Sequence, residues 1–281
     1  MKRFICIISI IIIISITIFT INKLFANKNT TKYTVEMTEK LYMLNNIHEK
    51  LDFFDFKKVN DYLLYKKEHP AISDERIIID VNIGLHKPFY IDTKHSNLND
   101  DILILVNKYN YLGNYYIPED LETIESSYAS GNRQLRHSAR IAFETLAMAA
   151  KKEGYDIYVV SAYRSYEYQK TLYENYRVKD GNNTDKYSAR PGHSEHQTGL
   201  AIDVADKTQS YSYFGNTTEF IWMKANAYKY GFIERYTAEY ENITGYIAEP
   251  WHYRYVGIEA STYIHNNPMV YEEYHVKQIS K

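Results

Sequence analysis

A long hydrophobic run is the first pattern along the chain. Residues 4–21 contain no charged side chain and follow Lys2 and Arg3. As a helix, the run would span roughly 27 Å, which is close to the thickness of a bilayer's hydrocarbon core. It therefore predicts a signal anchor over residues 1–26 or, alternatively, a cleaved signal peptide. The bulky Leu24, three positions upstream of the candidate cleavage point after Ala26, favours the anchor. The basic start predicts a single-pass protein with the rest of its chain outside the cell membrane, or a secreted protein if cleavage occurs.

The pattern changes after the anchor. Residues 27–70 are mostly polar, but apolar residues recur among them every three or four positions: Met37, Leu41, Leu44, Ile47 and Leu51. This spacing predicts an amphipathic helix, which would serve either as a spacer or as a packing partner. The third part, residues 71–281, is expected to form one domain. The β-branched run 77–81 predicts a strand, and residues 101–108 are a second candidate strand.

Helices and strands mix in the remainder of the chain. Apolar residues between Leu135 and Ala150 share one helical face, and Gly154 is a candidate C-terminal cap. Residues 157–162 predict a strand, and Ser165 is a natural N-cap for the helix that follows. A further helix is predicted over 220–230, and a strand over 247–256. The periodicity alone indicates mixed α and β structure.

Composition and charge narrow the classes of function. The 281 residues are 45% hydrophobic, which is enough for a sizeable core. The net charge of −2 gives no indication of a nucleic-acid partner. The single cysteine, Cys6, excludes an intramolecular disulfide, so stability must come from the core or also from a metal. We find neither a Ser-x-x-Lys nor a Gly-x-Ser-x-Gly motif, which favours a metal route over an acyl-enzyme route.

Potential metal ligands cluster in residues 188–206. In the segment Gly199 to Asp203 the residues alternate, so Asp203 would face away from its apolar neighbours, and Gly199 would let the preceding turn bring His196 close to it. A His/Asp pair alone is a weak indication of zinc, but zinc in catalytic sites takes three protein ligands. His252 is a candidate third ligand, and Glu249 in the same Glu-Pro-Trp-His segment is a candidate base.

Two nearby residues leave alternatives open. His193 could replace Asp203 as a ligand, although two histidines three apart in a loop often supply only one. Asp206, three residues beyond Asp203, is expected to be a cap or turn residue. Arg164 lies at a predicted strand-to-helix junction, where it is either a cleft residue or a surface arginine paired with a carboxylate.

Three motifs resemble those of the VanY-type D-alanyl-D-alanine carboxypeptidases. They are Ser194-x-His196-x-x-Gly199-x-Ala201-x-Asp203, Glu249-Pro250-Trp251-His252, and Ser161-Ala162-Tyr163-Arg164-Ser165 followed by Gln169. The resemblance covers about residues 105–257. It implies a compact α+β zinc-peptidase domain in which helices flank a small, mainly antiparallel sheet.

The resemblance also implies roles for individual residues. Zn²⁺ would be held by His196, Asp203 and His252, with Glu249 as the base. Arg164 would face the scissile carbonyl and stabilise the oxyanion. Substrate contacts would come from three further side chains, with the tryptophan as a packed wall: Ser194, Gln169 and Trp251.

The substrate implied in this way is a peptidoglycan stem peptide that loses its C-terminal D-alanine. The same ligands would serve an L,D-carboxypeptidase acting on tetrapeptides, or a dipeptidase or endopeptidase. A non-catalytic, zinc-stabilised wall-binding module is a further alternative, but the presence of Glu249 argues against it.

The anchor hypothesis predicts the behaviour of the full chain in cell fractions. The full chain should remain in the membrane pellet after a high-salt wash, because its apolar run lies in the hydrocarbon core. A variant that lacks residues 1–26 should be recovered in the soluble fraction. A shortened, soluble product from the full-length gene would instead support signal cleavage.

Overall fold

The structure, a computed structural model, describes residues 50–207 and 210–280, together with Thr38, Lys40, Tyr42 and Ile47. The predicted anchor and most of the predicted stalk helix lie outside the described residues. Among the described residues, no helix combines the length and the apolar character needed to cross a bilayer. The chain divides into two compact units between Asn82 and Ile83. The boundaries predicted from the sequence, at residues 26 and 70, stay predictions.

From residue 50 onward, the first unit includes the helices α1 (Val59–Glu68) and α2 (Asp74–Ile83), and α2 ends at the boundary with the next unit. A short 3-10 helix, Phe56–Lys58, precedes α1. The buried side chains of this unit include Tyr62 and the isoleucines 77 and 78. The strand predicted over 77–81 is therefore wrong, because this apolar run lies inside α2.

The start of α2 explains that error. Ser73 accepts hydrogen bonds from the Arg76 amide through its hydroxyl and from the Ile77 amide through its carbonyl. Two acidic residues, Asp74 and Glu75, occupy the first turn, where the helix dipole favours negative charge. A short apolar run does not distinguish a buried helix from a buried strand, and these flanking residues favour the helix.

The second unit begins with two small strand pairs. Strands β1 (Lys94–His95) and β2 (Asn110–Tyr111) are parallel, and β3 (Leu121–Thr123) and β4 (Gln134–Arg136) form an antiparallel pair. The strand predicted over 101–108 is also wrong. A 3-10 helix, Leu98–Leu103, occupies its first half, and Asp101 has a φ of 50°, which interrupts an extended path.

The long helix α3 (His137–Lys152) confirms the predicted apolar stripe, with five buried residues on one face: Ala139, Phe143, Leu146, Ala147 and Ala150. Leu135 precedes this helix in β4 and is buried with it. The helix ends at Lys152, and Gly154 follows with a φ of 91°, a value that favours glycine.

A four-stranded sheet forms the centre of the second unit. Its strands are β5 (Tyr158–Ser161), β6 (Ala201–Ala205), β7 (Phe232–Glu234) and β8 (His252–Tyr255). Their spatial order is β5-β6-β8-β7, and every neighbouring pair is antiparallel. The structure thus confirms the mixed helical and antiparallel architecture.

Further helices of the second unit lie between and after these strands in the chain. The helix α4 (Tyr166–Asp180) begins as predicted, since the Ser165 hydroxyl accepts a hydrogen bond from the Tyr168 amide. The other helices are α5 (Thr218–Asn226), α6 (Glu241–Thr244), α7 (Gly257–Asn266) and α8 (Tyr271–Tyr274), which continues into a π-helical turn, His275–Ile279. Shorter 3-10 helices are Gly181–Lys186, Glu195–Thr198, Tyr211–Asn216, Ala227–Tyr230 and Ala238–Tyr240.

We predict that the face of α3 dominates the stability of the second unit. Phe143 is fully buried, and its ring meets the ring of Phe232 edge-on at 6.3 Å. Phe143→Ala should lower the free energy of unfolding by about 3–5 kcal/mol in urea titrations followed by tryptophan fluorescence. The control is Ile141→Ala on the exposed side of the same helix, which should change it by less than about 0.5 kcal/mol.

Candidate active site

The register of the central sheet brings together residues that are distant in sequence. Asp203 in β6 pairs with His252 at the start of β8 and, on its other side, with Ser161 at the end of β5. The alternation predicted for this segment is confirmed, because Ile202 joins the hydrophobic core while Asp203 contacts polar side chains. Of the strand predicted over 247–256, only residues 252–255 are extended, and Glu249 lies in the turn before them.

His196 reaches the same place from a tight turn. It lies in the 3-10 helix Glu195–Thr198, which ends at Gly199 with a left-handed φ of 68°. A Cβ atom on Gly199 would approach the Leu121 side chain to 2.8 Å and that of Arg136 to 3.1 Å. Glycine is required there for the backbone conformation and for the close packing, and both direct the histidine toward the sheet.

The three predicted ligands form one compact, buried group. The Asp203 carboxylate lies 3.3 Å from Nε2 of His196 and 3.0 Å from Nδ1 of His252. The potential donor atoms of the three side chains all lie within 4.8 Å of one another. Two imidazole nitrogens and one carboxylate oxygen are a donor set suited to zinc, and three protein ligands leave a position for water or substrate.

The outward-facing nitrogens of the two imidazoles are also occupied, which fits a metal site. Nδ1 of His196 donates to the carbonyl oxygen of Ala162 at 2.7 Å, so its Nε2 is free to face Asp203. Nε2 of His252 donates to the Glu195 carboxylate at 3.3 Å, so its Nδ1 faces Asp203. Metal-binding histidines commonly donate their second N–H to a carboxylate or a carbonyl in this way.

Without a metal, the two histidines differ in protonation. Burial, with Arg164 nearby, lowers the pKa of His196 to about 4. Burial alone would also lower the pKa of His252, but its hydrogen bonds to Asp203 and Glu195 raise that pKa to about 9. Metal binding at Nδ1 of His252 would therefore release a proton.

Arg164 is aimed at this group, as expected for a cleft residue. Its Nη2 donates to the Asp203 carboxylate at 2.6 Å, and its Nε donates to the Ser161 hydroxyl at 3.0 Å. Gln169 accepts from Nη1 of Arg164 at 3.3 Å and donates to the carbonyl oxygen of Ala189 at 2.8 Å. Because Gln169 is buried and bonded at both ends of its amide, its observed contacts orient Arg164.

Glu249 and Trp251 lie beside the same group. The nearer Glu249 carboxylate oxygen is 4.0 Å from Nδ1 of His252. Burial raises the pKa of Glu249 to about 7, although His252 acts in the opposite direction. Trp251 packs against the hydrophobic core and meets Tyr211 edge-on at 5.2 Å, consistent with a wall.

The other candidates are placed as follows. Ser194 is buried and immediately precedes the 3-10 turn that carries His196. His193 lies apart from the metal-ligand group; its Nδ1 donates to the carbonyl oxygen of Asn107 at 2.7 Å, and its ring contacts Tyr90 and Tyr111. Asp206 directly follows β6.

A buried ionic network beneath the site was not predicted from the sequence. Glu195 receives hydrogen bonds from Arg235 and Arg254, and Arg235 also binds Glu272 in α8. Tyr236, next to Arg235, stacks on the His252 ring with a centroid distance of 5.0 Å. One local signal was present: Arg254 is two residues beyond His252 on a strand, so both side chains point to the same face.

A small antiparallel sheet with a buried His/Asp/His group and an adjacent carboxylate defines a metal-dependent hydrolase of the peptidase type. The comparisons specify the family. Residues 132–258 match the family model of VanY, described as D-alanyl-D-alanine carboxypeptidase. The putative carboxypeptidase YodJ of Bacillus subtilis is 44% identical over 186 residues, which cover 63% of this chain and 68% of the relative. The chain belongs to the VanY family.

Two solved structures agree with this assignment. The LdcB LD-carboxypeptidase has a TM-score of 0.62 and 39% identity, covering 66% of this chain and 91% of that one. A vancomycin-resistance D,D-pentapeptidase, VanY, was solved in complex with Zn(II). Its TM-score is 0.53 at 37% identity, and the match covers 61% of this chain and 97% of that one.

The metal-ligand group predicts different outcomes for substitutions at Asp203 and at His193. Asp203→Ala should reduce zinc content from about one ion per chain to a small fraction, because one of three ligands is lost. His193→Ala should keep its zinc, since that ring contacts Asn107. Metal content after dialysis is measured by atomic absorption. Unchanged zinc in Asp203→Ala would contradict the assignment and move the ligand to His193.

Proposed function

We propose that the protein is a zinc-dependent D,D-carboxypeptidase that removes the C-terminal D-alanine from peptidoglycan stem peptides. The observation that carries this proposal is the convergence of His196, Asp203 and His252 beside Glu249, in a chain of the VanY family. The three ligands would hold the ion through Nε2 of His196, the Asp203 carboxylate and Nδ1 of His252. When bound, zinc lowers the pKa of a water molecule toward neutrality and polarises the substrate carbonyl.

Glu249 acts as the general base and then as the general acid. It takes a proton from the attacking water and returns it to the amine of the departing D-alanine. Two properties of its position suit this role. Burial places its pKa at about 7, so both protonation states are accessible near neutral pH. Its backbone is also fixed, because its amide donates to the Tyr236 carbonyl and its own carbonyl accepts from the His252 amide.

Arg164 stabilises the negative charge that develops on the carbonyl oxygen of the scissile bond. A guanidinium remains charged throughout and offers several donors in a fixed plane. Ser161 and Gln169 hold two of its nitrogens, so the group is positioned before substrate binds. The Gln169 amide contributes through this arginine, while Ser194 and Trp251 contact the stem peptide next to the scissile bond.

The L,D-carboxypeptidase activity is the second candidate, favoured by the likeness to the LdcB structure. The ligands, the base and the arginine serve both reactions equally. The difference is the stereochemistry of the residue before the cleaved bond, so the shape of the pocket decides between them. In either case the predicted signal anchor would place the enzyme outside the membrane, where stem peptides are found.

Removing the base should separate catalysis from metal binding. Glu249→Gln keeps the size of the side chain but cannot accept the proton, so kcat should fall by about 10²–10⁴-fold. Zinc content should stay at the wild-type level, because Glu249 is outside the ligand group. Wild-type turnover in this variant would contradict the assignment of the base.

The substrate class is tested with defined stem peptides. The zinc-loaded chain is incubated separately with pentapeptide and tetrapeptide stems, and the products are identified by mass spectrometry. We expect the pentapeptide alone to lose one alanine. Loss of alanine from the tetrapeptide would instead support the L,D-activity, and zinc binding without any product would overturn both in favour of a wall-binding module.

A further inference from the structure

We propose that Glu195 is a positioning residue for the metal site, because it holds the His252 ring in the orientation that presents Nδ1 to the ion. The proposal rests on the metal site described above and adds a residue that the mechanism does not use. Glu195 directly precedes His196 in the chain, but its carboxylate serves the other histidine.

The contacts of the His252 ring define the proposed role. On one edge, Nε2 lies 3.3 Å from a Glu195 oxygen; on the other edge, Nδ1 lies 3.0 Å from an Asp203 oxygen. An ionised carboxylate can only accept, so Nε2 keeps its proton when Nδ1 gives up its own to the metal, and the Nδ1 lone pair then faces the ion.

The Glu195 carboxylate is itself held rigidly. Its Oε1 accepts from Nε of Arg235 at 2.9 Å and from Nη1 of Arg254 at 3.1 Å, which leaves Oε2 for His252. Two buried guanidiniums pair with this carboxylate, so Glu195 is constrained to one orientation.

A second layer fixes the arginines and supplies a matched control. Glu272 accepts from both terminal nitrogens of Arg235, at 2.9 and 2.7 Å. Nη2 of Arg254 donates to the backbone carbonyls of residues 102 and 104. Glu272 belongs to the same buried network, but it accepts hydrogen bonds from Arg235 and Asn107 and lies away from the acceptor position at His252 that Glu195 occupies.

The rings of His196 and His252 donate to different kinds of hydrogen-bond acceptor. The outward nitrogen of His196 uses a backbone carbonyl, which a substitution cannot remove, whereas that of His252 depends on the Glu195 side chain. Stability alone gives little reason for this arrangement, since buried ion networks are often replaceable by apolar groups without loss. The orientation of His252 as a metal ligand, in contrast, requires a hydrogen-bond acceptor beside its Nε2.

The test compares Glu195→Gln with Glu272→Gln. For each full-length variant, the zinc dissociation constant is measured by competition with a chromophoric chelator, and the cobalt-substituted protein is examined by visible absorption. Glu195→Gln should weaken zinc binding by about 10–100-fold and alter the cobalt spectrum. Glu272→Gln should lower the thermal midpoint of the metal-free protein while leaving both metal readouts at wild-type values.

Two results would overturn the proposal. One is wild-type zinc affinity in a folded Glu195→Gln variant. The other is equal weakening in both variants in proportion to their loss of stability, which would show a structural role alone. Either result, with zinc bound normally by the wild-type chain, would overturn the role of Glu195 alone. A wild-type chain that binds no zinc would overturn the proposed function as well.

Two further measurements apply if Glu195→Gln does not fold. Glu195→Asp keeps the charge that Arg235 and Arg254 need but withdraws the carboxylate from Nε2, so zinc binding should still weaken. In the wild-type protein, NMR of isotope-labelled histidine should show Nδ1 of His252 bound to metal and a slowly exchanging proton on Nε2. Metal bound through Nε2 would overturn the proposal.

Discussion

The pairing of Asp203 with His252 across neighbouring strands is the constraint on which the rest of the site depends. Side chains alternate along a strand, so a slip of one residue would turn Asp203 to the opposite face and place Ile202 beside the histidine. Strand β6 has partners on both sides, and its pairing with Ser161 fixes the same register a second time. The hydrophobic core that Ile202 joins therefore also determines the position of a metal ligand.

The charged side chains of the site are buried, and their pairing determines whether the Asp203 carboxylate is ionised. Each buried ion must be paired, because an isolated charge in a low-dielectric interior is strongly unfavourable. Burial alone would raise the pKa of Asp203, but His196 and Arg164 hold it well below its usual range. The carboxylate is therefore ionised and suited to bind a cation. Arg164 contributes both to this preparation and, in the proposed mechanism, to the charge formed during reaction.

The three ligands predicted from short motifs come together in the structure, whereas two of the predicted strands do not form. Local alternation oriented Asp203 alone, and His196 and His252 were assigned from the motifs in which they occur. The run 77–81 was assigned to a strand because its apolar pattern fits both structures and only the flanking residues distinguish them. The partners of Glu195 could not be inferred, because Arg235 and Glu272 approach it only through the tertiary fold.

The order of these residues along the chain bears on when the protein can acquire its metal. His196, Asp203 and Glu195 are synthesised before His252, and the arginines and Glu272 that complete the network are also downstream. A chain that ends at β6 contains only two of the three ligands, so the complete donor set requires β8 to pair with β6. Since the unfolded chain has no preformed site, metal binding is coupled to the folding of this sheet.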